Sequence, residues 1–301
     1  MALKISVIIL TYNSERTIAN TLKAVHPLSD DIHVVDSFSG DDTCAIVRAF
    51  GVNLVQHPFI NYSAQRNWAS SNLPLKHEWE LHLDADERLS EQLASELFVL
   101  KGIHPPAHIN GYCMPRLIHF LGRPITHGGM FPIWHMRLLR RGYGHCEERE
   151  YDQHFIVEGA TAKLYGCFID DIRMPLTEWT ARHNRWSDIE VRELSSQARA
   201  SGLRSSLTGN PLERKRYFRK LYERLPPFGR SFALFAYRYL LRGGFLDGKE
   251  GLVFFCLQTF WFRFLIDAKL FEQRLSAKEV ARMATVATVS IGASHCEADS
   301  E

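Results

Sequence analysis

The amino-acid sequence predicts an α/β fold with a Rossmann-like mixed sheet, followed by a helical C-terminal region. Apolar β-branched runs alternate with helical stretches through the first hundred residues. From Gly111 to about Asp171 the pattern changes to short strands and loops, and after Pro175 it becomes helical. Strands that alternate with helices imply parallel pairing, right-handed crossovers and a ligand crevice at the carboxyl ends of the strands.

The elements of the first part follow from this alternation. Each strand is a short apolar run that stops at polar residues, and each helix starts at capping residues and shows apolar spacing. The sequence predicts strands at Ile5–Leu10, Ile32–Val35, Asn53–Gln56 and Trp79–Leu83, and helices that end near Val25, Phe50 and Ser71.

The second part is helical up to a small, polar tail. We expect helices over 176–201, 212–224, 230–242 and 249–275. The predicted organisation is a domain over 1–172, divided into halves at 101 and 102, then a helical region over 173–283 and a disordered tail over 284–301.

The composition argues against several classes of protein. With 301 residues the chain can bury a sizeable core, and a formal net charge of +2 argues against a dedicated nucleic-acid binder. None of the six cysteines forms a C-x-x-C pair, so we expect neither a zinc site nor a disulfide framework. The apolar run near the N-terminus is too short for a signal peptide, which favours a cytosolic location or the cytosolic face of a membrane.

Two carboxylates, Asp84 and Asp86, follow the fourth predicted strand one residue apart. Hard oxygen ligands of this kind suit Mg²⁺ or Mn²⁺, which proteins typically hold by one or two carboxylates and substrate phosphates. The alternative is an acidic helix N-terminus with Glu87 in the first turn. The pair alone leaves both interpretations open.

Further polar residues reach the same predicted sheet edge. Asp36 ends the second strand, Tyr12 and Asn13 follow the first strand, and Arg66 lies on the helix before the fourth. An aspartate can accept hydrogen bonds from a base or ribose, and a tyrosine can stack on a base. A G-x-G-x-x-G turn and a P-loop are both absent from the sequence. These strand-end residues therefore favour a nucleotide site that uses neither a dinucleotide-binding turn nor a P-loop.

These segments, in this order, resemble the motifs of the family 2 glycosyltransferases with a GT-A fold. The resemblance covers about the first 100 residues and rests on Val7–Asn13, Val34–Ser37 with Asp41 and Thr43, Arg66–Asn67 and Leu83–Glu87. It departs at Leu10, where many members have proline in the turn that enters the nucleotide site.

The resemblance assigns roles to matching residues. Asp36 would bind the nucleobase, Asp84 the ribose or base, and Asp86 the metal that bridges the phosphates of a nucleotide-diphosphate sugar, with a UDP-sugar favoured. Residues 1–101 would then be the nucleotide-binding half and 102–172 the acceptor and catalytic half.

Weaker similarity extends to the bacterial branch that builds lipopolysaccharide cores and surface polysaccharides. It rests on Val157–Gly159, Trp179–Ser187 and Gly243–Gly251. It implies a lipid-linked or membrane-borne saccharide acceptor at the cytoplasmic face of the bacterial inner membrane.

An inverting transfer needs a general base for the acceptor hydroxyl and positive charge for the departing diphosphate. In the lipopolysaccharide-type relatives a His-Glu pair precedes the V-x-G element, whereas Asp152 and Gln153 stand there in this chain. We rank Asp152 first as the base, followed by Glu148 and Glu147. Arg137 is the candidate phosphate ligand, the alternative being a solvated strand charge.

The helical region carries a membrane signature. Basic and aromatic residues interleave between Glu213 and Lys249, which suits an anionic membrane surface. The apolar stretch 251–266 is shorter than a spanning helix and is interrupted by Gln258, Thr259 and Arg263. At helical spacing one narrow polar seam is formed by Lys249, Cys256, Thr259, Arg263 and Asp267. We predict monotopic attachment, with a short re-entrant insertion as the alternative.

Two other functions stay open at this point. A sugar nucleotidyltransferase would share the nucleotide edge and the metal carboxylates, although it normally begins with a glycine-rich loop and a lysine. The other alternative is a non-catalytic, membrane-associated scaffold of a polysaccharide assembly complex.

Overall fold

The computed structural model describes residues 4–103, 105–148, 153–195, 217 and 221–296. The chain divides into two compact units. We name Met1–Trp179 together with Phe235–Cys256 the sheet unit, and Thr180–Leu234 together with Leu257–Glu301 the helical unit.

Twelve strands and eight α-helices occur in the described residues. The strands are β1 Ile5–Thr11, β2 Ile32–Asp36, β3 Asn53–Gln56, β4 Trp79–Asp84, β5 Glu87–Leu89, β6 Ile109–Phe120, β7 Arg123–Ile125, β8 Ile133–Arg140, β9 Gly144–Cys146, β10 Phe155–Val157, β11 Ala160–Lys163 and β12 Phe168–Ile172. The helices are α1 Ile18–Val25, α2 Thr43–Ala49, α3 Tyr62–Asn72, α4 Glu91–Gly102, α5 Leu176–Ser195, α6 Gly229–Ala236, α7 Gly248–Phe255 and α8 Phe262–Cys296.

Ten of the strands form one mixed sheet, in the order β3-β2-β1-β4-β8-β6-β12-β5, with β7 and β11 beside β6. Strands β1 to β4 run parallel, β8 runs antiparallel to both β4 and β6, and β12 is parallel to β6. Strands β1, β2, β4, β6 and β12 therefore end at the same edge of the sheet. The predicted mixed sheet is confirmed.

The first four strands agree with the sequence to within one residue at each end. The side chains of β1, β2 and β4 are almost all buried, as expected for strands covered on both faces; Val7, Val34 and Leu81 are each 0% exposed. Strand β3, at the end of the sheet order, has no buried side chain. The core of the sheet unit therefore holds the strand ends rigidly.

Residues 235–256, which the sequence groups with the helical region, belong to the sheet unit. The Phe254 ring lies 5.4 Å from that of Phe120, and the Gly128 amide donates to the carbonyl of Arg242 over 3.0 Å. The buried Asp247 carboxylate accepts the His127 amide at 3.0 Å. These tertiary contacts join residues 235–256 to the sheet.

The helical unit is held by ion pairs as well as by apolar contacts. Arg230 donates to the buried Asp267 from Nε over 3.0 Å and also from Nη2, and the Phe228 amide donates to Asp267 over 2.8 Å. Arg263 pairs with Glu190 at 2.9 Å. The predicted polar seam thus faces protein groups of the helical unit at Arg263 and Asp267.

The C-terminal helix is longer than predicted. Helix α8 continues to Cys296, past residue 284 where the sequence predicts a disordered tail. That stretch has no proline, which would interrupt the helix. Residues 196–201, most of the predicted helix over 212–224, and 297–301 lie outside the described residues.

Among the described residues, the segment Gly244–Glu279 is helical, long enough and apolar enough to cross a membrane, and 39% of its most apolar window is buried within the chain. By length and composition this apolar C-terminal helix could associate with a membrane.

Candidate functional site

The sheet register brings the predicted strand-end residues together. Thr11 is paired with Asp36 on β2, and Leu10 is paired with Asp84 on β4. The main chain continues the pairing past the strands, because the Ala85 amide donates to the Leu10 carbonyl over 3.0 Å. The Leu10 side chain is buried, so this residue, which stands where many family members have proline, presents only its backbone to this edge.

The turn after β1 is fastened to the turn after β2. The Asn13 amide donates to Ser39 Oγ and its own Oδ1 accepts from the Gly40 amide, both at 2.8 Å. Asn13 has φ of +46°, a left-handed conformation that asparagine tolerates better than most residues. This arrangement leaves the Tyr12 side chain 60% exposed at the rim of the edge.

Asp36 is a buried carboxylate with its hydrogen-bond partners already in place. Gln56 Nε2 donates to Oδ2 over 3.0 Å, and Ser39 donates from its amide over 3.0 Å and from its hydroxyl. Burial acts to raise the pKa of Asp36, but the hydrogen bonds from Gln56 and Ser39 outweigh it and hold the pKa below its ordinary value. Asp36 is therefore an ionised acceptor at neutral pH.

Asp84 and Arg66 form the centre of the edge. Arg66 Nη2 lies 2.7 Å from Asp84 Oδ1, and the guanidinium is almost fully buried, with the Phe155 ring 5.6 Å away. Burial acts to raise the pKa of Asp84, but the positive charges of Arg66 and Arg137 outweigh it and hold the pKa below its ordinary value. Arg66 is thus placed to orient a carboxylate that is itself 30% exposed.

Arg137 reaches the same carboxylates from β8. Its Nη2 lies 2.5 Å from Glu87 Oε1 and 3.5 Å from Asp84 Oδ2, and the residue is 8% exposed. Burial, with Asp84 and Asp170 nearby, raises the pKa of Glu87 to about 7, although Arg137 opposes the rise. The predicted phosphate ligand therefore lies at the site but is engaged by a buried glutamate.

Asp86 is half-buried, and its carbonyl accepts the Asp171 amide at 2.9 Å. In the described part of the chain, no group of three or more His, Cys, Asp and Glu is close enough to hold a cation. The residues present fit a cation held by one or two carboxylates, with phosphate oxygens and water completing its coordination.

Two of the predicted base residues, Glu147 and Glu148, directly follow β9, which pairs with β10. Helix α3 anchors this segment, since Asn67 Nδ2 donates to the Cys146 carbonyl over 2.9 Å and Ser63 Oγ to the Glu147 carbonyl over 2.7 Å. Glu147 is buried and lies 3.3 Å from His154 Nδ1, whereas Glu148 is exposed. Asp152, the first-ranked base, lies outside the described residues.

Sequence reasoning missed several members of the site. Glu87 lies in strand β5 and faces Arg137, not in the first turn of a helix. Arg116 forms a charge-assisted pair with the buried Asp170, donating from Nε over 2.9 Å. Period-two alternation from Asp84 onward could have found Glu87, whereas Arg116 and Asp170 meet through pairing of distant strands.

Comparison with known proteins agrees with the fold and with the motif set. Residues 6–109 match the model of the family described as glycosyl transferase family 2. Two proteins described as uncharacterized glycosyltransferases are similar over part of the chain. The one from Rickettsia typhi is 34% identical over 119 residues, which is 40% of each chain. The one from Rickettsia conorii is 35% identical over 115 residues, covering 38% of this chain and 40% of the relative.

The chain thus spans about two fifths of the length of the curated relatives it matches. Among solved structures, a mannosyltransferase from Pyrobaculum calidifontis in complex with GDP-Man and Mn²⁺ has a similar fold, with a TM-score of 0.52 and 15% identity over 90% of this chain and 87% of that one. The comparisons thus show a similarity to glycosyl transferase family 2 over residues 6–109 and a GT-A-like fold.

Proposed function

We propose that the protein is a metal-dependent, inverting glycosyltransferase that takes its sugar from a nucleotide-diphosphate sugar. The observation that carries this proposal is the convergence of Tyr12, Asp36, Asp84 and Asp86 at one edge of the sheet, in a segment that matches glycosyl transferase family 2. A crevice at the carboxyl ends of parallel strands is where nucleotides bind in α/β folds.

Each residue of the edge has a chemical task in this proposal. The exposed Tyr12 ring stacks on the base, and the ionised Asp36 accepts hydrogen bonds from it. Asp84, held by Arg66, accepts from the ribose. A UDP-sugar is the favoured donor, and Asp86 holds the Mg²⁺ or Mn²⁺ that neutralises the diphosphate when bound. The mannosyltransferase with the similar fold was solved with a nucleotide sugar and Mn²⁺, which supports this donor class.

Inversion by direct displacement requires a carboxylate that accepts the proton of the acceptor hydroxyl. The segment between β9 and β10 is the proposed source, with Asp152 as the base and Glu148 and Glu147 ranked behind it. Glu147 is already anchored next to α3 and beside His154. Arg137 would help neutralise the leaving diphosphate once a donor phosphate competes for its guanidinium.

The donor assignment is tested by incubating the full chain with a panel of nucleotide-sugars and Mn²⁺ and measuring released UDP or GDP. Asp86→Asn should reduce release by at least about a hundredfold with unchanged melting temperature. Asp30→Asn is the matched control, because Asp30 precedes β2 at the opposite edge and its side chain is 80% exposed. Full release by the Asp86 variant would reject the metal role, and pyrophosphate release from a nucleoside triphosphate would favour a nucleotidyltransferase.

We further propose that the acceptor is a lipid-linked or membrane-borne saccharide, handled at the cytoplasmic face of the bacterial inner membrane in surface polysaccharide or lipopolysaccharide synthesis. Residues 237–252 of the sheet unit support membrane contact, because they expose an apolar set, 41% to 79% accessible: Tyr237, Leu240, Leu241, Phe245, Leu246 and Leu252. Arg242 and Lys249, both exposed, provide charge that suits anionic lipid headgroups.

Vesicle sedimentation tests the membrane assignment. The chain should pellet with vesicles that contain phosphatidylglycerol. Replacing Leu240 and Leu241 by serine should weaken this at least about tenfold, since each buried CH₂ contributes about 0.8 kcal/mol. Val99→Ser is the matched control, because Val99 is 63% exposed on α4, outside that segment. Equal sedimentation of both variants would reject residues 237–252 as the contact.

A further inference from the structure

A cavity of about 710 Å³ opens beside the turn before α1 and the carboxyl ends of β6 and β12. Its lining includes Arg16, which precedes α1, Arg88 on β5, His119 on β6, and Asp171 and Arg173 at the end of β12. None of these residues takes part in the donor site described above. The cavity is large enough for a saccharide-sized ligand.

The lining carries more guanidinium than carboxylate charge. Two arginines share the Asp171 carboxylate, whose Oδ2 lies 2.8 Å from Arg173 Nε and 3.9 Å from Arg88 Nε. Arg16 pairs with Glu178 at 3.2 Å across the surface, with both side chains more than half exposed. Such exposed pairs contribute little and exchange easily for a better partner. At least one positive charge of the cavity is therefore unmatched.

His119 is a polar, uncharged member of the lining. Burial lowers the pKa of His119, and Arg88 lowers it further; Arg173 acts in the same direction, while Asp171 and Asp170 oppose it. The imidazole is thus neutral at pH 7 in the free protein and gains a proton more easily when an anion enters.

The main chain connects this cavity to the proposed metal ligand. The Asp171 amide donates to the Asp86 carbonyl over 2.9 Å, and β5 begins immediately after Asp86. Exposure alternates along this stretch, so that Asp86 and Arg88 are both half-buried while Glu87 between them is buried. A ligand in the cavity would therefore lie next to the cation-bound end of the donor, where an acceptor must reach.

We infer that this cavity is an acceptor subsite for a phosphoryl group, so that the acceptor of the proposed glycosyl transfer is a phosphorylated saccharide or lipid. That the ligand is an acceptor rests on the proposed function, whereas the anion site itself does not. Guanidinium groups bind phosphate oxygens through paired, charge-assisted hydrogen bonds, and several can share one phosphoryl group.

Equilibrium dialysis with radiolabelled inorganic phosphate tests the site on the full chain, first alone and then with saturating UDP and Mg²⁺. We expect saturable phosphate binding that persists in the presence of UDP. Arg88→Gln combined with Arg173→Gln should weaken it at least about tenfold, because charge-assisted hydrogen bonds are lost. Arg16→Gln, a substitution at an exposed side chain that preserves the fold, should weaken it in the same direction. Arg48→Gln is the matched control, since Arg48 is exposed on α2 away from the cavity.

Other outcomes overturn the inference. Unchanged phosphate binding in the double variant would place the anion elsewhere. Loss of phosphate binding on addition of UDP would make the cavity part of the donor site. Acetate that binds as tightly as phosphate would reject a phosphoryl-specific subsite. Failure of the wild-type chain to bind UDP would reject the proposed donor while leaving the phosphate measurement without UDP intact, so the two failures are distinguishable.

Discussion

Glu87 offers the sharpest test of the electrostatics of the site. Its carboxyl is 2% exposed, lies 2.5 Å from Arg137, and accepts the Asp84 amide at 2.9 Å. Burial together with two neighbouring carboxylates raises its pKa to about 7 in the folded chain, against 4.5 as its ordinary value. Glu87→Gln keeps the size and one acceptor oxygen, so it removes the titration while preserving the packing.

The direction in which the free energy of unfolding changes with pH follows from proton linkage. Below pH 4.5 the carboxyl is protonated in both the folded and the unfolded chain, and its ionisation costs nothing. Between pH 4.5 and about 7 the unfolded chain has lost the proton that the folded chain still binds, so the free energy of unfolding falls as pH rises. The slope reaches about 1.4 kcal/mol per pH unit, and the total is roughly 3 kcal/mol.

Urea unfolding at pH values from 5 to 8 measures this effect. The wild type should lose about 2 to 3 kcal/mol relative to Glu87→Gln across that range. Glu91→Gln, a change at an exposed residue in the first turn of α4, should give a curve parallel to the wild type. A difference between wild type and Glu87→Gln that stays constant from pH 5 to 8 would refute the reasoning, because Glu87 would then be ionised throughout.

Two further predictions concern the packing of each unit. Asp267→Ala should lower the free energy of unfolding, measured with urea, by about 3 to 5 kcal/mol, because it leaves the buried Arg230 without its carboxylate. Asp188→Ala removes a half-exposed ion pair and should lower it by less than about 1 kcal/mol. Equal losses in the two variants would contradict the argument from burial. Gly128→Ala places a Cβ 2.1 Å from Phe255 Cζ at a φ of +64°. It should lower the melting temperature by more than Gly122→Ala, which has the same kind of strain at φ +81° but no atom within 4 Å, and similar shifts would argue against close packing at Gly128.

Local pattern predicted the nucleotide half of the fold well, because the information needed is local. Strands such as β1 and β4 are unbroken apolar runs, and polar residues such as Asp36 and Asp84 follow them directly. Once parallel pairing is expected, the convergence of these residues at one edge follows without knowledge of distant contacts. Their individual functional roles remain predictions.

Contacts between distant segments were beyond the reach of the sequence. Arg137 meets Glu87 because β8 inserts antiparallel between β4 and β6, an arrangement that no short motif encodes. Residues 235–256 join the sheet unit because Asp247 accepts hydrogen bonds from the loop at His127, whereas composition alone groups them with the helices around them. In both cases the tertiary partner, and not the local pattern, decides the position.

The alternation of exposure along Asp84–Leu89 has a consequence for how this segment can change over evolutionary time. Asp84, Asp86 and Arg88 are partly accessible, while Ala85, Glu87 and Leu89 are buried. Inserting or deleting a single residue would exchange the two sets, sending a guanidinium toward the core and a leucine toward solvent. The segment can therefore accept a new side chain at one position far more readily than a change in its length.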